Sequence, residues 1–160
     1  MKKLVVALAA LAFAAHAHAG MGLTANMSGL SDGTAWAPSL DYRSGGWLVQ
    51  MHVLDLIGNV TNKTVNLGVD VTKVTQKEKV AEDIEGVLML GGGARVLTNT
   101  DFDPLMFNLV GEARMGAERK KKAGIGIYVV PMIGLSNIPT ASQEIDLIYG
   151  GGLQISTWMK

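Results

Sequence analysis

The sequence predicts an all-β protein in which eight antiparallel strands close into an up-and-down barrel, and three observations lead to this prediction. From about residue 64 to 158, apolar residues alternate with small or polar ones, as in the segment VNLGVDVT at 65–72. A two-residue period places successive side chains on opposite faces of a β-strand. Residues typical of turns interrupt the alternation repeatedly. The chain has 20 glycines and only four prolines, which suits tight turns and crowded positions inside a barrel.

The first 19 residues have the organisation of a secretory signal peptide. Lys2 and Lys3 are followed by a short apolar run and then by the segment AHA, whose small residues form a cleavage site before Gly20. The apolar run is too short for a membrane-spanning helix, which needs about 20 apolar residues. We therefore predict a signal peptide at 1–19 and one exported outer-membrane barrel domain at 20–160.

The alternation divides this domain into eight strands. In order, the predicted strands are 22–30, 35–42, 47–57, 64–75, 84–97, 105–118, 123–135 and 144–159. The first two are short, and Pro38 falls inside the second, although proline has no N–H group to donate to a β-ladder. Without these two strands the count would fall to six. Eight membrane-spanning strands of about 10 residues each fit the length of the domain.

The boundaries between the strands carry residues that favour turns. In chain order they are SDG at 31–33, RSGG at 43–46, GN at 58–59, NTD at 99–101 and SN at 136–137. Most lysines are also expected in turns or near strand ends, including Lys77 and Lys79. The middles of the later strands are left with aliphatic residues on one face and small or polar residues on the other.

The alternation does not by itself show which face points into the barrel, since a soluble barrel with its apolar face inward has the same period. The residue types favour a polar interior, because the charges in the middle of strands are few and balanced. The predicted lumen charge network consists of Asp70, Arg95, Glu112 and Arg114. The other polar residues predicted on this face are Gln50, His52, Asn66 and Asn108. An eight-stranded barrel is just wide enough for side chains to fill it.

The opposite face of the strands is aliphatic and is expected to face lipid. A barrel that is apolar outside and polar inside is typical of the outer membrane of Gram-negative bacteria, where aromatic girdles mark both interfaces. The predicted girdle residues are Trp36 and Phe107 near the outer rim and Tyr42, Trp47 and Trp158 near the inner rim.

In these features the chain resembles the small eight-stranded outer-membrane β-barrel proteins, the group that includes the transmembrane domain of outer-membrane protein A. The resemblance covers the whole exported domain and lies in its architecture. It implies an outer-membrane location, contact with outer-membrane lipid and insertion by the barrel assembly machinery. Proteins of this kind commonly end in an aromatic residue, whereas this chain ends in Trp158-Met159-Lys160.

The composition excludes several kinds of chemistry. The chain has 14 basic and 14 acidic residues, and this even balance argues against nucleic-acid binding. It has no cysteine, and His52 is the only histidine after the signal peptide, so a nitrogen or sulfur metal site is not expected. No cofactor is predicted either.

Three functions from different classes remain. The first is a non-enzymatic outer-membrane barrel with a filled lumen, which has a structural role in the envelope or forms a very narrow pore. The second is a soluble periplasmic β-barrel that binds a lipophilic ligand within an inward apolar face. The third is a lipid-modifying barrel enzyme that uses His52 as a general base. We favour the first, because no partner for His52 lies on the same strand face within two residues.

Overall fold

The computed structural model describes residues 20–31, 38–52, 64–99, 104–119, 123–136 and 144–159. Within these ranges the chain forms β1 (Gly20–Leu30), β2 (Ser39–Ser44), β3 (Trp47–His52), β4 (Thr64–Lys79), β5 (Ile84–Asn99), β6 (Pro104–Arg119), β7 (Ala123–Ser136) and β8 (Asp146–Met159). Among the residues described, no helix is long and apolar enough to span a membrane. The signal peptide predicted at 1–19 lies outside the described residues.

The eight strands form one closed barrel. Each strand pairs antiparallel with the next strand in the chain, and β8 pairs with β1. The predicted all-β, eight-stranded antiparallel architecture is therefore confirmed. We define the terminal end of the barrel as the end where β1 begins and β8 finishes, and the far end as the opposite one.

The register between strands fixes the stagger of the barrel. One row of paired residues runs around it through Trp158, Gly22, Asp41, Gln50, Asp70, Gly93, Val110, Gly134 and Ile148. The row returns to β8 ten residues from where it began (158 − 148 = 10). Such a stagger requires the strands to tilt, and with eight strands it leaves an interior that side chains can fill.

The second strand begins later than predicted. β2 starts at Ser39, and Pro38 precedes it rather than lying inside it, because proline cannot donate to the ladder. β2 and β3 are joined by Gly45 and Gly46, which have φ angles of 56° and 83°. Two consecutive residues with positive φ form the tight turn that matches the twist of a β-hairpin, and glycine adopts this conformation without strain. The predicted extension of the third strand to residue 57 lies outside the described residues.

The hairpin formed by β4 and β5 is longer than predicted. The sequence predicted turn positions for Lys77 and Lys79, but both lie within β4 and pair with β5. A register irregularity lies between Val74 and Gln76. Beyond it the strand is exposed, and Lys77 Nζ lies 3.8 Å from Glu85 Oε2. The prediction ended the strand too early because this exposed segment has no apolar alternation to mark it.

The two faces of the barrel wall differ sharply in polarity, which β7 shows most clearly. Ile127 and Val129 are 51% and 56% exposed. The residue that follows each of them, Tyr128 or Val130, is only 1% or 0% exposed. Fifteen buried polar or charged residues lie in the described part of the chain. The apolar residues that share the lumen are Leu30, Leu48, Val87, Met89, Val110, Tyr128, Val130, Met132 and Ile148. The exterior is apolar, and the lumen is largely polar.

Candidate functional site

The lumen charge cluster (His52, Asp70, Arg95, Glu112 and Arg114) lies near the middle of the barrel and is centred on the Asp70 carboxylate. Arg95 Nη2 donates to Asp70 Oδ2 at 2.8 Å, and Arg95 Nε donates to Oδ1 at 3.4 Å. His52 Nε2 lies 2.6 Å from the same Oδ2 atom. Asp70 itself has no exposed surface. A buried carboxylate is stabilised by such charge-assisted hydrogen bonds.

The second ion pair of the cluster joins two residues of β6. Arg114 donates to Glu112 Oε1 through Nη2 at 2.5 Å and through Nε at 3.1 Å. The two pairs approach each other, since Arg95 Nη2 lies 4.0 Å from Glu112 Oε2 and Arg114 Nη2 lies 3.9 Å from Asp70 Oδ2. The structure thus brings together all four residues of the predicted charge network.

Glycines on neighbouring strands leave room for the lumen charge cluster. Gly93 pairs with Asp70, and Gly91 pairs with Glu112. A Cβ atom on Gly93 would collide with the Asp70 carboxylate. The sequence placed these charges on one face, but it did not reveal the contact between His52 and Asp70. That contact crosses between strands, so finding it needs the register of β3 against β4.

Among the four predicted polar lumen residues, Gln50, His52 and Asn108 are buried. Asn66 belongs to β4, but its side chain lies outside the described residues. Gln50 pairs with Asp70 between β3 and β4, but the hydrogen bonds of its amide are with other residues. Its amide instead belongs to a second polar group closer to the terminal end of the barrel.

This second group, the Asp41 cluster (Thr24, Ser39, Asp41, Gln50 and Ser156), was not predicted from the sequence. Thr24 Oγ1 donates to Asp41 Oδ2 at 2.5 Å, and Gln50 Nε2 donates to Asp41 Oδ1 at 2.9 Å. Ser39 Oγ donates to Oδ1 at 3.2 Å. Ser156 Oγ forms a short hydrogen bond with Thr24 Oγ1. The three side chains that donate to this carboxylate are all neutral.

A third group, the aromatic cluster (Arg43, Glu118, Tyr128 and Trp158), lies at the terminal end of the lumen. Arg43 Nη1 lies 2.7 Å from Glu118 Oε1, and Arg43 Nη2 donates to the Tyr128 hydroxyl at 3.0 Å. That hydroxyl donates in turn to Glu118 Oε1 at 2.8 Å. The Arg43 guanidinium lies 3.8 Å from the centre of the Trp158 ring, within the range of a cation–π interaction.

The position of Trp158 corrects its predicted place in an aromatic girdle. Only 5% of the residue is exposed, so it points into the lumen and not toward the surroundings of the barrel. Its strand explains this, because Leu153 and Ile155 occupy the outward positions and Trp158 falls on the other face. Space for the ring comes from glycines, since a Cβ atom on Gly124 would overlap the indole.

The other predicted girdle residues have mixed outcomes. Trp47 is 48% exposed at the terminal end, with Lys73 Nζ 5.3 Å from the centre of its ring. Tyr42 and Phe107 are half-buried and share the outward phase of their strands with Leu40 and Leu109. Trp36 lies outside the described residues.

The substitution Gly124→Ala is expected to lower the free energy of unfolding by about 1–3 kcal/mol, because the new methyl group displaces the Trp158 ring from a packed site. Urea unfolding followed by tryptophan fluorescence would measure the change. Gly111→Ala is the matched control, since its new Cβ atom would meet nothing closer than Ile133 O at 3.7 Å. Equal effects of the two substitutions would contradict the tight fit of the indole.

The three groups together define the class of the protein as a closed eight-stranded β-barrel with a charge-paired polar lumen and an apolar exterior. No group of three or more histidine, cysteine or acidic residues in the described ranges could hold a metal ion. Comparison with protein-family models, with curated proteins and with solved structures finds no match. The likeness to small eight-stranded barrels is therefore one of architecture alone.

Proposed function

We propose that the chain is a non-enzymatic β-barrel of the bacterial outer membrane, which contributes to the structure of the envelope or provides at most a very narrow path for small solutes. The observation that carries this proposal is the exposed apolar exterior around a polar lumen. In water such an exterior would be a large hydrophobic patch, which soluble monomers rarely expose. In a bilayer the same surface is the expected one.

The distribution of charge on the exterior supports a membrane-spanning belt. In the described part of the strands, the charged outward-facing residues are Lys73, Glu78 and Arg119, and all lie toward the terminal end. The exposed apolar residues of the belt are Met21, Leu23, Leu40, Leu67, Val69, Val71, Leu90, Leu109, Met115, Ile125, Ile127, Val129, Ile133, Leu135, Leu147, Leu153 and Ile155. A belt of this composition fits hydrocarbon, and charges at its edge fit the head-group region.

Aromatic residues near both edges of the belt support the same proposal. Trp47 begins β3 at the terminal end, where Lys73 lies over its ring. Tyr149 is 66% exposed near the start of β8, toward the far end. Tryptophan and tyrosine favour membrane–water interfaces because each has an apolar ring with a polar group.

The filled lumen supports a structural role or a narrow path over a wide pore. The ion pairs of Asp70 with Arg95 and of Glu112 with Arg114 occupy the middle of the lumen, and the aromatic cluster occupies its terminal end. The contact between His52 and Asp70 resembles that of a general base with its orienting acid. His52 and Asp70 are only 4% and 0% exposed, which favours a structural role for this contact over catalysis.

Refolding tests the membrane proposal directly. Residues 20–160, unfolded in urea, are expected to become β-rich only after dilution into detergent micelles or lipid vesicles. The folded protein should then migrate differently on a denaturing gel before and after boiling. A monodisperse, folded protein in plain buffer would contradict the proposal and favour the soluble periplasmic barrel. Acyl-transfer or hydrolase activity that is lost in His52→Ala would instead favour the lipid-modifying enzyme.

A further inference from the structure

One buried acid of the lumen, Asp41, stands apart from the ion pairs of the described residues. Three ion pairs are complete, joining Arg43 to Glu118, Arg95 to Asp70 and Arg114 to Glu112. Asp41 is a fourth buried acid, with an exposed fraction of only 3%. None of the ion pairs formed among the described residues includes it.

The side chains that contact the Asp41 carboxylate by hydrogen bonds are neutral, and most of them are hydroxyls. Two hydroxyl groups and one amide donate hydrogen bonds to its carboxylate, and the Ser156 hydroxyl adjoins them through Thr24. Gln50 Nε2 also donates to Thr24 Oγ1 at 3.0 Å. A hydroxyl that donates its proton to a carboxylate keeps lone pairs on its oxygen atom. Thr24 Oγ1 donates to Asp41 and accepts from both Gln50 and Ser156, so its lone pairs are already used. The Asp41 cluster can therefore present the hydroxyl oxygens of Ser39 and Ser156, as well as carboxylate oxygens, to a ligand.

A second observation points to a missing partner at this place. Gln50 has no exposed surface, and its Oε1 atom finds no hydrogen-bond donor among the described residues. This oxygen belongs to the same amide as the Nε2 atom that donates to Asp41 and Thr24, so it lies at the edge of the Asp41 cluster. Buried amide oxygens are normally paired, so this unpaired oxygen is available as a ligand for a water or an ion.

We infer that the Asp41 cluster binds one small monovalent cation of the sodium or potassium type inside the lumen. Burying a carboxylate is costly unless an opposite charge accompanies it. Carboxylate, hydroxyl and amide oxygens replace the hydration shell of such an ion. The Asp41 carboxylate carries one negative charge, which one monovalent cation balances. The inference concerns the lumen alone and does not depend on what surrounds the barrel.

The test compares the thermal unfolding of the folded barrel in sodium, potassium and N-methylglucamine chlorides at equal ionic strength and fixed pH. Unfolding is followed by loss of the β-sheet circular dichroism signal, which does not require a membrane barrel. A cation that binds only the folded state raises the midpoint, and we expect sodium or potassium to raise it by about 3 °C or more. Asp41→Asn keeps the shape of the side chain and should abolish the difference between the salts.

Two further variants make the result specific to the Asp41 cluster. Glu82→Gln removes a charge from an exposed turn and should leave the cation effect unchanged. Ser156→Ala removes one oxygen while keeping the carboxylate, and it should weaken the effect even if Asp41→Asn does not fold. Equal midpoints in all three salts for the unsubstituted protein, or a cation effect that persists in Asp41→Asn, would overturn the inference. The gel shift reports folding separately, so failure here is distinguishable from failure of the membrane proposal.

Discussion

Replacing Asp70 by alanine is expected to lower the free energy of unfolding by about 3–5 kcal/mol, the cost of breaking a buried ion pair from one side. The Asp70 carboxylate accepts hydrogen bonds from Arg95 and contacts His52, and Arg114 lies 3.9 Å away. In the variant, two contacts of the Arg95 guanidinium are retained: Met132 Sδ lies 3.5 Å from Nη2, and Glu112 Oε2 lies 4.0 Å from the same atom. Neither replaces a carboxylate at hydrogen-bonding distance.

Urea unfolding in lipid vesicles measures this loss as a change in midpoint at constant slope. Glu82→Ala provides the matched control, because its carboxylate is exposed in the turn between β4 and β5 and should contribute little. Asp70→Asn should have an intermediate effect, since an amide oxygen still accepts a hydrogen bond but carries no charge. If Asp70→Ala unfolded at the same urea concentration as Glu82→Ala, Asp70 would not be the centre of the lumen charge cluster.

The substitution Val129→Arg is expected to lower the free energy of unfolding in a bilayer by about 2–4 kcal/mol, because an arginine on the lipid face near the bilayer midplane must leave water. Val129 is 56% exposed in the middle of β7. In a soluble barrel, arginine at so exposed a position would be close to neutral. The substitution therefore distinguishes a lipid-facing exterior from a water-facing one.

Val80→Arg makes the same chemical change outside the apolar belt. Val80 is 68% exposed and lies between β4 and β5, beyond the terminal end of the belt. We expect this variant to fold into vesicles as well as the unsubstituted protein. Both variants are compared by the fraction folded at a series of urea concentrations. Equal stabilities for Val129→Arg and Val80→Arg would contradict a bilayer around the middle of β7.

The sequence was sufficient to predict the number of strands and the phase of most of them. Alternation over several residues determines which side chains share a face, and turn residues determine where a strand ends. This is why the outward phase of Ile127 and the inward phase of Arg95 agree between the sequence pattern and the structure. Trp158 was misplaced because its distance from the strand end was given more weight than the alternation through Leu153 and Ile155.

Contacts between strands could not be predicted in the same way. The partners of Asp41 come from β1, β2 and β3, and its place in the lumen depends on their register. Register depends on loop geometry and on packing across the whole barrel, which a single sequence does not specify. The same holds for the contact between His52 and Asp70. The role of the barrel in the cell follows from neither alternation nor register.

The most direct test of the membrane proposal is the lipid exposure of β7, measured by electron paramagnetic resonance on the protein refolded into vesicles. The chain has no cysteine, so single cysteines at positions 123, 125, 127, 129, 133 and 135 can each carry one spin label without background. We predict that collisions with oxygen, relative to a water-soluble nickel complex, are greatest near Val129 and decline toward both ends of the strand. Uniform access of the nickel complex to all six positions would contradict a bilayer around the barrel.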